Sequence, residues 1–117
     1  MRVLVTGGRD YSDRESVFFE LHGLAEKYGW LTVIQGGATG ADALAREWAE
    51  LCYHGLVSVK ANWTKFGPSA GPMRNEKMLV SGKPDLVLAF PGGRGTADMV
   101  RRAKAAGVPV RLSGTDG

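Results

Sequence analysis

Four glycine-rich segments carry residue types that handle anionic small molecules: Thr6-Gly7-Gly8-Arg9-Asp10-Tyr11, Gly36-Gly37-Ala38-Thr39-Gly40-Ala41-Asp42, Gly71-Pro72-Met73-Arg74-Asn75 and Pro91-Gly92-Gly93-Arg94-Gly95-Thr96. A loop that runs into a helix presents backbone N–H groups without intrahelical partners, and the helix dipole adds roughly half a positive charge at that point. Phosphate suits such a place, and glycine lets the backbone approach it closely. Segment 91–96 meets each requirement, with Gly92, Gly93 and Gly95 for approach, Thr96 as a hydroxyl donor and Arg94 as a cation over the anion. Gly36, Gly37, Thr39 and Gly40 share that setting and are expected to cradle a second anionic or ribose group. Asp42 there either caps the loop or meets a sugar hydroxyl. Gly7, Gly8, Arg9 and Asp10 form a third loop, in which Arg9 and Asp10 are available as a charged pair at the mouth. Arg74 and Asn75 add a guanidinium and an amide at another helix start. Trp63 or Tyr11 offers a ring, either for stacking on a base or for packing over the loops.

These segments act together only if the fold gathers them. Short apolar runs at 3–5, 31–34, 56–59, 85–90 and 108–110 read as strands. Between them lie helical patterns: one capped by Ser12 or Asp13 and stopped at Gly29, one over 41–52, one from about 73 to 80, and one from 96 through 106. Strand and helix in alternation predict an α/β fold, a Rossmann-like, doubly wound, mainly parallel sheet of about five strands with helices on both faces. In that architecture every loop leaving a strand's carboxyl end emerges on one edge, so the glycine clusters share one place. Trp30 and Trp48 are expected in the core, and Met73 and Met78 as packing residues.

The chain of 117 residues predicts a single domain over 1–112 and a short polar tail over 113–117. Its net charge of +3 makes the surface mildly basic. Arg101, Arg102 and Lys104 form a short run read as a solvated helix face, and without a continuous basic stripe nucleic acid is not expected as a partner. A lone cysteine, Cys52, points to a reducing compartment, and the lack of a signal peptide or long apolar window points to a cytoplasmic protein without a membrane partner. His22 and His54 are far apart, so neither a metal nor histidine chemistry is expected at the loops, and no cofactor is expected. No Walker A spacing occurs, and the full dinucleotide fingerprint is absent.

On these four segments, and over nearly its whole length, the chain resembles the YspA-like branch of the SLOG superfamily, the Rossmann-like group named after the SMF/DprA and LOG proteins. The resemblance implies a domain that binds nucleotides or nucleotide-derived ligands, often as a homodimer, in bacteria and their phages. LOG-type enzymes are similar at the Pro91-Gly92-Gly93-x-Gly95-Thr96 loop and cleave the base from a nucleoside 5′-monophosphate; Arg74 stands much as their catalytic arginine does. Their glutamate position holds Met99 here, with Asp98 one residue early, a rotation of about 100° on a helix. The resemblance therefore implies a module that senses or sequesters a phosphate-bearing nucleotide derivative. The alternative is a LOG-like phosphoribohydrolase in which Arg74 holds phosphate and Asp98 or Asp10 does acid–base work. Single-stranded DNA binding, as in the DprA relatives, ranks below both for want of a basic groove rich in aromatics.

Overall fold

Five strands, β1 (Arg2–Thr6), β2 (Thr32–Gln35), β3 (Gly55–Ser58), β4 (Leu86–Ala89) and β5 (Val110–Leu112), pair in parallel in the order β3-β2-β1-β4-β5 in the computed structural model, which describes residues 1–114. The helices are α1 (Arg14–Tyr28), α2 (Ala41–Leu51), α3 (Trp63–Phe66), α4 (Ala70–Val80) and α5 (Arg94–Ala105). Val3 lies opposite both Val33 and Leu86, and Leu4 opposite Ile34 and Val87. Alternate residues of a strand face opposite ways. Val3, Val5, Val33 and Leu88 accordingly pack with Val17, Leu21 and Trp48 of α1 and α2, whereas Leu4, Ile34 and Val87 pack with Met78, Met99 and Ala103 of α4 and α5. Each fully buried aliphatic side chain contributes roughly 1.5–3 kcal/mol, so both faces of β1 hold the domain together. This is the expected Rossmann-like, doubly wound sheet.

The strand order changes direction between β1 and β4, which brings their carboxyl ends side by side. Gly8 N–H donates to the Pro91 carbonyl at 2.8 Å across that junction. Ligands of doubly wound sheets bind at such a crevice.

Local chemistry sets the element ends. Asp13 rather than Ser12 caps α1, its Oδ1 accepting from Ser16 N–H at 3.1 Å. The stretch between β3 and α4, outside the predicted helices, folds into α3 and a 3-10 turn (Gly67–Ser69), with Asn62 Oδ1 capping α3 from Lys65 N–H at 3.0 Å. Helix α4 begins at Ala70, ahead of the expected start near Met73. Pro72 falls in its first turn, where a missing N–H costs nothing, so proline there marks a beginning and not a barrier. Trp48 is buried as expected, but Trp30 is 61% exposed. Trp30 follows the Gly29 helix stop, and its Nε1 donates to the Tyr53 carbonyl at 3.1 Å, so the ring lies across the amino-terminal edge of the sheet instead of inside. Met78 is buried, but Met73 is exposed on the outer side of α4. Ser113 N–H donates to the Ala89 carbonyl at 2.8 Å, extending the β4–β5 pairing; of the expected tail, residues 115–117 lie outside the described residues. No described helix is long and apolar enough to cross a membrane.

Candidate binding site

The loops after β1, β2 and β4 and the start of α4 surround a cavity of about 720 Å³ at the carboxyl edge of the sheet. Of the residues singled out in the sequence, Gly7, Gly8, Arg9, Asp42, Trp63, Arg74, Asn75, Gly93, Arg94, Gly95, Thr96 and Asp98 line it. Gly36, Gly37 and Thr39 line an adjoining cavity of about 310 Å³. Asp10, Gly40, Pro91 and Gly92 line neither. Arg101, read in the sequence as part of a solvated helix face, lines the larger cavity, and Lys60, which nothing in the linear pattern singles out, lines the smaller one.

Helix α5 opens onto the larger cavity. Gly93 is its N-cap and supplies no side-chain acceptor, so the first-turn N–H groups of Arg94, Gly95 and Thr96 have no intrahelical partner. A Cβ added at Gly93 or Gly95 meets nothing within 4 Å, which leaves room for a guest against the backbone. Gly92 is glycine for the opposite reason. A Cβ there would sit 2.6 Å from Gly8 N and against Thr96 Oγ1, so this residue lets the β1 and β4 loops touch.

The loop after β2 departs from expectation. Its N–H groups point inward: Asp42 Oδ2 accepts from Gly36 N–H at 3.0 Å and Ala38 N–H at 3.3 Å, and Gln35 Oε1 accepts from Gly37 N–H at 2.5 Å. The buried Gln35 is itself held by Ser58 Oγ. These amides are therefore spent on the loop and are not offered to an anion. The signal was present in Gln35, the one amide in an apolar strand. Asp42 thus caps the loop; burial raises its pKa, opposed by the Ala38 and Gly36 hydrogen bonds and the charges of Arg74 and Arg9. Gly40, at φ 72°, is packed on the Gly8 carbonyl and the Arg9 backbone, a position closed to any side chain. Ala41 N–H donates to the Gly8 carbonyl at 3.2 Å and Thr39 Oγ1 to the Arg9 carbonyl at 3.0 Å, locking the two loops together.

Arg74 links this loop to α5. Its Nη1 donates to the Gly36 carbonyl at 2.8 Å and its Nε to Asn75 Oδ1 at 3.1 Å. Asn75 Nδ2 donates onward to the Gly95 carbonyl at 3.2 Å and to Asp98 Oδ2 at 3.0 Å. Among the described residues Arg74 Nη2 donates to none, and the side chain lines both cavities. Burial lowers the pKa of the guanidinium, with Asp42 opposing and Arg9 reinforcing, yet arginine remains a cation. Arg101 and Arg102 are not a merely solvated face: Nη2 of Arg101 and Nε of Arg102 donate to Asp98 at 2.5 and 2.8 Å. Burial would raise the Asp98 pKa, but the hydrogen bonds of Asn75 and Arg102 and the charges of both arginines outweigh it and hold the carboxyl below its ordinary value. Met99, in the glutamate position, is fully buried in the core.

Arg9 does not pair with Asp10. Its guanidinium carbon lies 5.1 Å from the centre of the Trp63 ring, and Asp10 is exposed outside the cavities. Trp63 is half-exposed and rests on the start of α4, where a Cβ on Gly71 would come within 3.0 Å of the ring. Tyr11 packs on Phe90 with ring centres 5.3 Å apart and does not line either cavity, so it offers no face for stacking on a guest. His22 Nδ1 accepts from Trp48 Nε1 and His54 Nδ1 from Leu31 N–H, both away from the cavities. Among the described residues no cluster of three or more His, Cys, Asp or Glu is placed to hold a metal ion.

Residues 1–66 match the family model described as the YspA, cpYpsA-related SLOG family. The chain belongs to that SLOG family. It is similar to the Gene 61 protein of Mycobacterium phage D29, 42% identical over 120 aligned positions covering 93% of each chain. Among solved structures, TM1055 matches with a TM-score of 0.70 at 22% identity, over 94% of this chain and 72% of that one. DNA processing protein A from Streptococcus pneumoniae gives 0.74 at 22% identity, over 95% of this chain and 49% of that one. The Helicobacter pylori protein of that name, which binds single-stranded DNA, gives 0.68 at 19% identity, over 96% and 64%. These likenesses concern the fold. SLOG membership points to nucleotide-related binding, and the neighbours lend no support to setting nucleic acid aside as a partner.

Proposed function

We propose that this SLOG domain binds a phosphate-bearing nucleotide or nucleotide-derived small molecule in the 720 Å³ cavity, as a sensing or sequestering module. The observation that carries the reading is the convergence of the uncapped, sterically open start of α5 with the Arg74 side chain in one cavity. Phosphate rests on the first-turn N–H groups of α5 and the Thr96 hydroxyl, with Arg94 over it. The half-exposed Trp63 ring, with the Arg9 guanidinium over one side of it, lines the same cavity and supplies its remaining exposed surface to the base.

A hydrolytic reading has one observation in its favour: Asp98 lines the cavity. Against it, Asp98 accepts hydrogen bonds on both oxygens and is held ionised, which suits neither a general acid nor a free base. Calorimetry with a panel of nucleoside mono- and diphosphates, run beside an oligodeoxythymidylate and followed by chromatography, separates the readings. The expected outcome is saturable binding of a small nucleotide, lost in Gly95→Val, with the ligand recovered intact. Steady release of free base, abolished by Asp98→Asn, overturns the binder in favour of the hydrolase; binding of the oligomer alone overturns the small-molecule ligand. Light scattering of the loaded protein reads the expected homodimer.

A further inference from the structure

The smaller cavity differs from the larger one in its charge. Arg9, Lys60 and Arg74 converge on it from the β1 loop, the end of β3 and helix α4, and no carboxylate is on its wall. Among the described residues Arg14, Arg46, Arg101, Arg102 and Arg111 each lie within ion-pairing distance of a carboxylate, whereas none of these three cations does. The backbone amides of Gly36, Gly37 and Ala38 are spent on Gln35 and Asp42, so side-chain cations, not a nest of N–H groups, are what this cavity offers. Gly37, at φ 71°, permits the arrangement: a Cβ there would sit 2.8 Å from Lys60 Cγ, so glycine allows the lysine stem to lie over the loop. The two cavities share Arg9, Ala38, Trp63 and Arg74, so one molecule can occupy both.

We propose that the smaller cavity is a second anion subsite, in which Lys60, Arg9 and Arg74 take a second phosphate of a ligand whose first phosphate rests on α5. This rests on the nucleotide reading above and narrows it to a ligand with two separated phosphates, such as a nucleoside 3′,5′-bisphosphate. Successive phosphates of a DNA strand share that chemistry.

The test is a titration of the ¹⁵N-labelled chain with inorganic phosphate, read by amide shifts. Two separately saturating groups are expected, one at Gly93 to Thr96 and one at Gly37 to Thr39 with Lys60 and Ala61. Lys60→Gln, at an exposed position, should weaken the second about tenfold and leave the first in place. Shifts at α5 alone overturn the second subsite while the nucleotide reading stands; shifts at neither place overturn both. Competition then identifies the source: displacement of phosphate from both groups by thymidine 3′,5′-bisphosphate supports a free nucleotide, and stronger displacement by an oligodeoxythymidylate supports a strand.

Discussion

Arg74 Nη1 donates to the Gly36 carbonyl at 2.8 Å, so a side chain of α4 closes over the loop that follows β2 and borders both cavities. A phosphate held by the remaining guanidinium N–H groups is worth about 1.5–3 kcal/mol. Arg74→Ala is therefore expected to weaken nucleotide binding roughly ten- to a hundredfold in calorimetry. Unchanged affinity would remove Arg74 from the binding site.

The glycines of the β4 loop should separate by role. Gly92→Ala drives a methyl into Gly8 and Thr96 and is expected to cost about 1–3 kcal/mol in urea denaturation, as overpacking does. Gly95→Ala meets open space inside the first turn of α5 and should gain about 0.5–1 kcal/mol from helix propensity. Equal losses in both would contradict the open surface assigned to Gly95.

Asp42 holds two loop amides from a buried position. Asp42→Ala leaves both unpaired, at about 1–3 kcal/mol each when buried. Asp42→Asn keeps an acceptor of the same shape and escapes the burial of a charge, so thermal unfolding should show a much smaller loss. A loss as large as that of alanine would mean that the charge itself is required.

His54 Nδ1 accepts the Leu31 N–H at 3.0 Å, which only the neutral ring can do, and burial holds its pKa below the ordinary value. A depressed histidine contributes stability that is complete above its unfolded value of about 6.5 and is lost as pH falls through that value toward the lower folded one. Unfolding midpoints followed from pH 7.5 to 5.5 should drop more steeply for the native chain than for His54→Asn, which retains an acceptor near Nδ1. Parallel slopes would contradict the role given to this bond.

Much of this architecture was legible in the chain. The run Val3-Leu4-Val5, apolar at every position, marks a strand buried on both faces, and the glycine clusters at strand ends place the crevice. What escaped was decided by contacts distant in sequence. Trp30 is apolar enough for a core, but its N–H finds the Tyr53 carbonyl on the sheet edge, 23 residues away. Gly36 to Ala38 look like an anion cradle until Gln35 and Asp42 take their amides, and Arg9 and Asp10 look like a pair until Trp63 draws Arg9 aside. Lys60 follows an ordinary strand end and gains meaning only beside Arg9 and Arg74.

The central claim, a phosphate-bearing nucleotide held at the start of α5, is tested most directly by mass spectrometry of small molecules released from natively purified protein, native chain beside Gly95→Val. The expected result is a phosphate-containing nucleotide in near-stoichiometric amount from the native chain and its absence from the folded variant. A native chain that releases no such compound, or a variant that releases the same one in equal amount, would contradict it.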